Sequence, residues 1–67
     1  MKKIELKWEK YIFDDMIITV LMDKNEVKIY RTWTEDDDQI EFVFGIKHED
    51  YKYIDIEVLH EKGYFYD

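Results

Sequence analysis

The 67-residue chain has no cysteine, no proline, no serine and no alanine, and only two glycines. Without cysteine, neither a disulfide framework nor a thiolate zinc site can staple the fold, so packing or self-association has to serve instead. The lack of serine as well excludes the usual nucleophilic triads and leaves Thr19, Thr32 and Thr34 as hydroxyl alternatives besides tyrosine. Gly45 sits inside an alternating stretch and Gly63 stands alone, which gives no glycine-rich loop to cradle a phosphate. Long apolar runs are missing too. The longest uncharged run, Met16 to Met22, falls far short of the roughly 20 residues of a membrane helix. Charges interrupt the opening MKKIELKWEK, where a signal sequence would be apolar, so a cytoplasmic protein is expected.

What the chain does have is aromatic side chains and charge. Two Trp, four Phe and six Tyr make it 18% aromatic. Each such side chain buries about 150–250 Å², so a chain near the lower size limit for independent folding can still build a dense core. Period-two alternation, rich in β-branched and aromatic types, recurs between polar breaks. It predicts a single, mainly β domain over residues 1–67: a five- to six-stranded antiparallel meander or small partly open barrel, with one short helix as an option within 50–62.

Ile4, Leu6 and Trp8 alternate with Lys and Glu, and the change of apolar parity at Tyr11 and Phe13 predicts a bulge near Lys10. After a turn at Asp14-Asp15, Met16 to Met22 is apolar on both faces, the pattern of a central strand covered on both sides. Asp23-Lys24-Asn25 forms the next turn, Val27, Ile29, Arg31 and Trp33 share one face, and Glu35 to Gln39 breaks the pattern. Ile40, Phe42, Phe44 and Ile46 predict a strand with a single apolar face. Two readings stand for Tyr51 to Leu59. In the preferred one, Ile54, Ile56 and Val58 alternate as in a strand, with a hairpin loop at Glu61-Lys62-Gly63 and a short strand Tyr64 to Tyr66. In the other, Tyr51, Ile54 and Val58 form a helical stripe that Lys62-Gly63 ends.

The net charge of −7 is unevenly spread, because residues 1–10 hold four Lys against two Glu, whereas residues 11–67 hold six basic and fifteen acidic residues. In a meander, successive turns alternate between the ends of the sheet. Asp14, Asp15, Glu35, Asp36, Asp37, Asp38 and Glu61 are therefore expected together at one end, opposed only by Lys62. Such a tip is either a solvated loop set that keeps the chain in solution and guards strand edges, or a docking surface that steers a basic partner and repels nucleic acid. In size and charge, and in no motif, the chain resembles small acidic phage-encoded inhibitors such as anti-CRISPR proteins and DNA mimics. That resemblance implies the cytoplasm of a phage's host as the place of action.

Other chemistry is weighed and set aside. His48 and His60 fall in loops at opposite ends of the meander, which argues against a shared metal or acid/base site. Asp36-Asp37-Asp38 would hold Mg²⁺ or Ca²⁺ only weakly. Asp23-Lys24-Asn25 opens like an EF-hand loop, but Lys28 stands at the turn-glycine position and Thr34 at the bidentate-glutamate position. Tyr30, Tyr51, Tyr53, Tyr64 and Tyr66 offer ring faces for stacking bases, yet no positive path for a phosphate backbone accompanies them.

No catalysis and no cofactor are expected. The leading expectation is a small protein-binding inhibitor that occludes a basic nucleic-acid-binding surface of another protein. Its partner would be bound by Asp14, Asp15, Glu35, Asp36, Asp37, Asp38, Glu61, Tyr64 and Tyr66, with no direct binding of nucleic acid or membrane. The alternative is a homo-oligomeric structural or regulatory β module, for example a homodimer, with Trp8, Trp33, Tyr64 and Tyr66 at its interface.

Overall fold

The computed structural model describes residues 7–36 and 38–66. The expected contributions of Ile4, Leu6 and Asp37 lie outside the described residues. Four strands, β1 (Lys7–Ile12), β2 (Met16–Met22), β3 (Val27–Trp33) and β4 (Ile40–Ile46), form one antiparallel sheet in chain order. Two short helices follow, α1 (His48–Tyr51) and α2 (Ile56–Glu61). Among the described residues the sheet is open, with β1 and β4 at its edges, so the expectation of five or six strands or a partly open barrel is corrected to an open sheet of four strands.

The turns follow local chemistry. At the β2–β3 connection the Asp23 carboxylate accepts from the Lys24 amide at 2.6 Å, and the Asp23 amide bonds the Glu26 carbonyl at 3.0 Å. Together these bonds hold the reversal at the end of β2.

Registers differ from expectation at two places. β1 pairs with β2 without interruption, from Lys7 opposite Met22 to Ile12 opposite Ile17, so there is no bulge at Lys10. The parity change arises because Trp8 and Tyr11 face opposite sides of the sheet. The bulge lies in β4 instead. Ile29 stands opposite Phe44 and Tyr30 opposite Phe42, which leaves Val43 as the extra residue. Phe44 and Ile46 therefore face the core with Ile29 and Val27, whereas Phe42 and Ile40 face the other way with Tyr30 and Thr32, and the single apolar face expected of β4 is split. The extra residue also brings Glu41 opposite Arg31, whose Nη2 is 2.8 Å from the Glu41 carboxylate.

Residues 51–59 are not a strand, and Tyr64 to Tyr66 do not form one either. The Asp55 carboxylate caps α2 by accepting from the Glu57 and Val58 amides at 3.0 and 3.3 Å. At the other end Gly63 adopts φ +82°, a left-handed conformation that only glycine adopts without steric cost. The Gly63 amide bonds the His60 carbonyl at 3.1 Å and the Tyr64 amide bonds the Leu59 carbonyl at 3.0 Å, the paired bonds of a Schellman stop. That reversal sends Phe65 back into the core. The alternation of Ile54, Ile56 and Val58 had favoured a strand, but six helical residues closed by a cap at each end need no long stripe.

The core has two layers. Met16, Ile18, Val20, Val27 and Ile29 of the sheet meet Ile56 and Phe65 of the cover, all at 2% exposure or less. Among the described residues the cover lies on one face, so β2 is central and covered by them on one side. Its other face carries Ile17 and Thr19, partly exposed, and the buried Leu21. Among the described residues no helix is long and apolar enough to cross a membrane.

Phe65 anchors the cover and accepts a hydrogen bond on its carbonyl from Arg31. Phe65→Ala is expected to cost about 3–5 kcal/mol, against about 0.5 kcal/mol or less for the exposed neighbour Tyr64→Ala, measured by urea denaturation. Glu41→Ala, which removes one partner of the buried guanidinium, is expected to cost about 1–3 kcal/mol in the same assay.

Candidate functional site

Two surfaces stand out, at one end of the sheet and on its uncovered face. At the end, the β1–β2 turn and the β3–β4 connection are laced together. The Thr34 amide bonds the Asp15 carbonyl at 3.1 Å, and the Thr34 hydroxyl donates to the Asp14 carbonyl at 3.3 Å. A 3-10 turn, Thr34–Asp36, then carries Glu35 and Asp36 outward, and the Gln39 amide bonds the Asp36 carbonyl at 3.3 Å. Asp14, Glu35, Asp36 and Asp38 are exposed there, and Trp33, Glu35 and Asp36 line an open hollow. Asp37 lies outside the described residues. Glu61 is exposed on α2 beside His60, and Tyr64 is exposed beyond the Gly63 turn.

Asp15 is engaged differently from its acidic neighbours. Its carboxylate accepts a hydrogen bond from the Tyr66 hydroxyl, and His60 Nε2 lies 3.3 Å from Oδ1 and 3.0 Å from the Tyr66 oxygen. Since the single Tyr66 proton points to Asp15, a proton on His60 Nε2 completes the set. The His60 ring stacks on Phe13 with centroids 3.8 Å apart and planes 4° from parallel. Tyr66 also leans on Trp33, at 5.8 Å. These contacts form a clasp that ties α2 and the segment after it to the β1–β2 turn. The Tyr66 hydrogen bond, followed by the contact with His60, holds the Asp15 carboxyl below its usual range against the opposing effect of desolvation, while the Asp15 carboxylate pushes the Tyr66 hydroxyl up. His48, the first residue of α1, lies at the opposite end, where its Nε2 meets the Asp23 carbonyl, so the two histidines are apart, each on a helix and not in the loop expected for it.

A second fastening holds α1 against edge strand β1. The hydroxyls of Tyr11 and Tyr51 donate to the Glu9 carboxylate at 3.2 and 3.5 Å. Burial first, and the company of the other tyrosine and Glu9 next, push the Tyr51 hydroxyl far above the usual tyrosine range.

The uncovered face of the sheet is the surface that sequence reasoning missed. The registers place Trp8, Lys10 and Ile12 of β1 there, beside Ile17, Thr19 and Leu21 of β2. Lys28, Tyr30 and Thr32 of β3 and Ile40, Phe42 and Gly45 of β4 continue it. None of these strand positions is acidic. Ile12, Ile40, Phe42 and Trp8 are 77, 69, 57 and 55% exposed. An aromatic chain crosses the face, with Trp8 6.4 Å from Tyr30 and Tyr30 edge-on to Phe42 at 5.6 Å. Between these groups lies a hollow of about 270 Å³ lined by Trp8, Thr19, Tyr30 and Ile40. At the end away from the acidic tip, Glu26 reaches over Gly45, where a Cβ would stand 2.8 Å from its carboxylate. The signal for this face is the change of apolar parity along β1, between Trp8 and Tyr11, which reflects two apolar faces and not a bulge.

The five tyrosines considered as a stacking platform are scattered. Tyr30 lies on the open face, Tyr51 under the edge of β1, Tyr53 against Lys52 at 5.1 Å, Tyr64 in solvent and Tyr66 in the clasp. Among the described residues, no group of three or more His, Asp or Glu side chains is gathered as a metal ion requires. In comparisons with known proteins, no family model matches the chain, and no curated protein or solved structure matches it either.

The clasp sets a pH dependence. Asp15, held low in the folded state, contributes stability that is present above the ordinary carboxylate range and lost as pH falls through its lowered value. Tyr66, held high, contributes stability that is present below the ordinary tyrosine range and lost as pH rises through its raised value. Tyr66→Phe is expected to move the Asp15 midpoint upward, read by carbon NMR of its carboxyl, and to flatten the acid limb of the stability profile. An unmoved midpoint would remove Tyr66 as the cause.

Proposed function

We propose that the protein is a small non-enzymatic inhibitor that sets its acidic tip on the basic nucleic-acid-binding surface of another protein and occludes it. The observation that carries this reading is the exposure of Asp14, Glu35, Asp36 and Asp38 at one end of the sheet, beside the hollow that Trp33 shares with Glu35 and Asp36. An array of carboxylates on a braced pair of turns presents negative charge at fixed positions, as a phosphate backbone does, and concentrates a field that steers cationic partners. An aromatic wall beside the carboxylates suits the guanidinium or ammonium of such a partner. Asp15 plays a supporting part, because its carboxylate is spent on Tyr66 and His60 and braces the tip from behind.

The experiment is capture from a bacterial lysate on the immobilised protein. It is run at about 50 mM and about 200 mM salt, the interval over which phosphate-type contacts lose most of their strength. A basic nucleic-acid-binding protein is expected to be retained at the lower salt, released at the higher, and displaced by added nucleic acid. The triple substitution Glu35→Gln, Asp36→Asn, Asp38→Asn is expected to abolish retention. A retained set that ignores both the substitutions and competing nucleic acid would sink the reading.

A further inference from the structure

The acidic tip leaves the uncovered sheet face without a role. We propose that this face binds a second copy of the same chain, giving a twofold dimer in which two sheets stack through Trp8, Tyr30, Ile40 and Phe42. The inference goes beyond the tip reading and does not rest on it.

Three observations identify the occupant. The first is charge. In a chain of net charge −7, the open face has no acidic residue at its strand positions and two lysines, Lys10 and Lys28. Its carboxylates, Glu26 over Gly45 and Asp23 beside Lys28, stand at the end away from the acidic tip, so two copies can meet over Trp8, Tyr30, Ile40 and Phe42 without burying carboxylates against each other. Lys10, on an edge strand, can extend its amine to the rim while its stem packs, and the Lys28 amine already meets Asp23 at 3.4 Å.

The second is shape. A twofold contact needs a projection and a recess on the same surface, because each residue pair occurs twice. Phe42 projects from β4 at 57% exposure, and the recess between Trp8 and Ile40, floored by Thr19 and Tyr30, measures about 270 Å³, enough for one aromatic side chain of the partner copy.

The third is area. Four strands about 4.8 Å apart and about seven residues long, at about 3.3 Å per residue, span about 400 Å² in projection. Adding side-chain relief, two such faces remove on the order of 1,200 Å² from solvent, the lower bound for a specific interface. The sheet edges are poorer routes to self-pairing. β1 carries Lys7, Glu9 and Lys10 along its length, and the Val43 bulge interrupts β4. Repulsion between the two acidic tips favours the arrangement that sets them at opposite ends of the dimer.

Apolar stacking between two anions has a salt dependence opposite in sign to docking on a basic partner, since screening removes repulsion here and attraction there. Sedimentation equilibrium of the full chain between about 1 µM and about 1 mM covers the range in which an interface of this size associates. A monomer–dimer equilibrium that tightens with added salt is expected. Phe42→Lys and Ile12→Lys are each expected to weaken it about tenfold or more, since each change enters a twofold interface twice. Ile12 is so exposed that its replacement leaves the monomer folded, which circular dichroism checks, and keeps the test intact if Phe42→Lys fails to fold. The Asp36→Asn, Asp38→Asn variant should retain the dimer. A chain that stays monomeric throughout, a dimer that weakens with salt, or one that both face variants leave unchanged would overturn the proposal. A monomer that instead loses capture of another protein on Ile12→Lys would give the face to a different occupant.

Discussion

Arg31 is a guanidinium held at 6% exposure in the core of a very small domain, and such a charge is tolerated only when its surroundings answer it. The Phe65 carbonyl, the Glu41 carboxylate and the Trp33 ring, 4.8 Å from the guanidinium carbon, do so. Each partner has a structural consequence. The bond to Phe65 ties the end of the cover to the middle of the sheet. The stacking on Trp33 places that indole where Tyr66 leans on it. The pairing with Glu41 requires the bulge at Val43, because in unbroken register Phe42 would stand opposite Arg31 and Glu41 would face away. The same bulge turns Ile40 and Phe42 outward, so the apolar open face is the other side of the arrangement that satisfies a buried charge.

Charge and apolar surface are thereby separated. Carboxylates gather at the tip and along the helical cover, while the open face keeps strand positions free of acid. The two surfaces answer to different conditions, since salt weakens the field of the first and leaves the apolar contact area of the second unchanged. The clasp of Asp15, His60 and Tyr66 sits behind the tip and converts one carboxylate from a surface charge into a structural bond.

Much of the sheet was legible from sequence. β2 and β3 stand where period-two alternation placed them, the turn at Asp23-Lys24-Asn25 falls between them, and the meander brought Asp14 and Asp15 to the connection that follows β3, whereas His48 and His60 stand on helices and not in the loops expected for them. What failed to show depended on partners distant along the chain. The faces of β4 could not be read from Ile40, Phe42, Phe44 and Ile46, because Arg31 decides them from another strand. α2 was obscured because six residues hold too little helical period to compete with the alternation of Ile54, Ile56 and Val58. Asp55 as a cap was the missed signal, and Lys62-Gly63 was the one noticed. Of the candidate site, the carboxylates were visible from charge alone, while the clasp that withdraws Asp15 from them spans 51 residues of chain and leaves no local trace.

The meander has a kinetic corollary. Every strand pair in the sheet joins neighbours in the chain, so each hairpin can close over a short loop, whereas the bonds that fix the cover, from Arg31 to Phe65 and from Asp15 to Tyr66, span 34 and 51 residues. Short-range closure is fast and long-range closure slow, so the expected order is sheet first and cover last. Until Phe65 swings in, the core face of the sheet lacks its cover, and a newly made chain exposes Met16, Ile18, Val20, Val27 and Ile29 that the finished one buries.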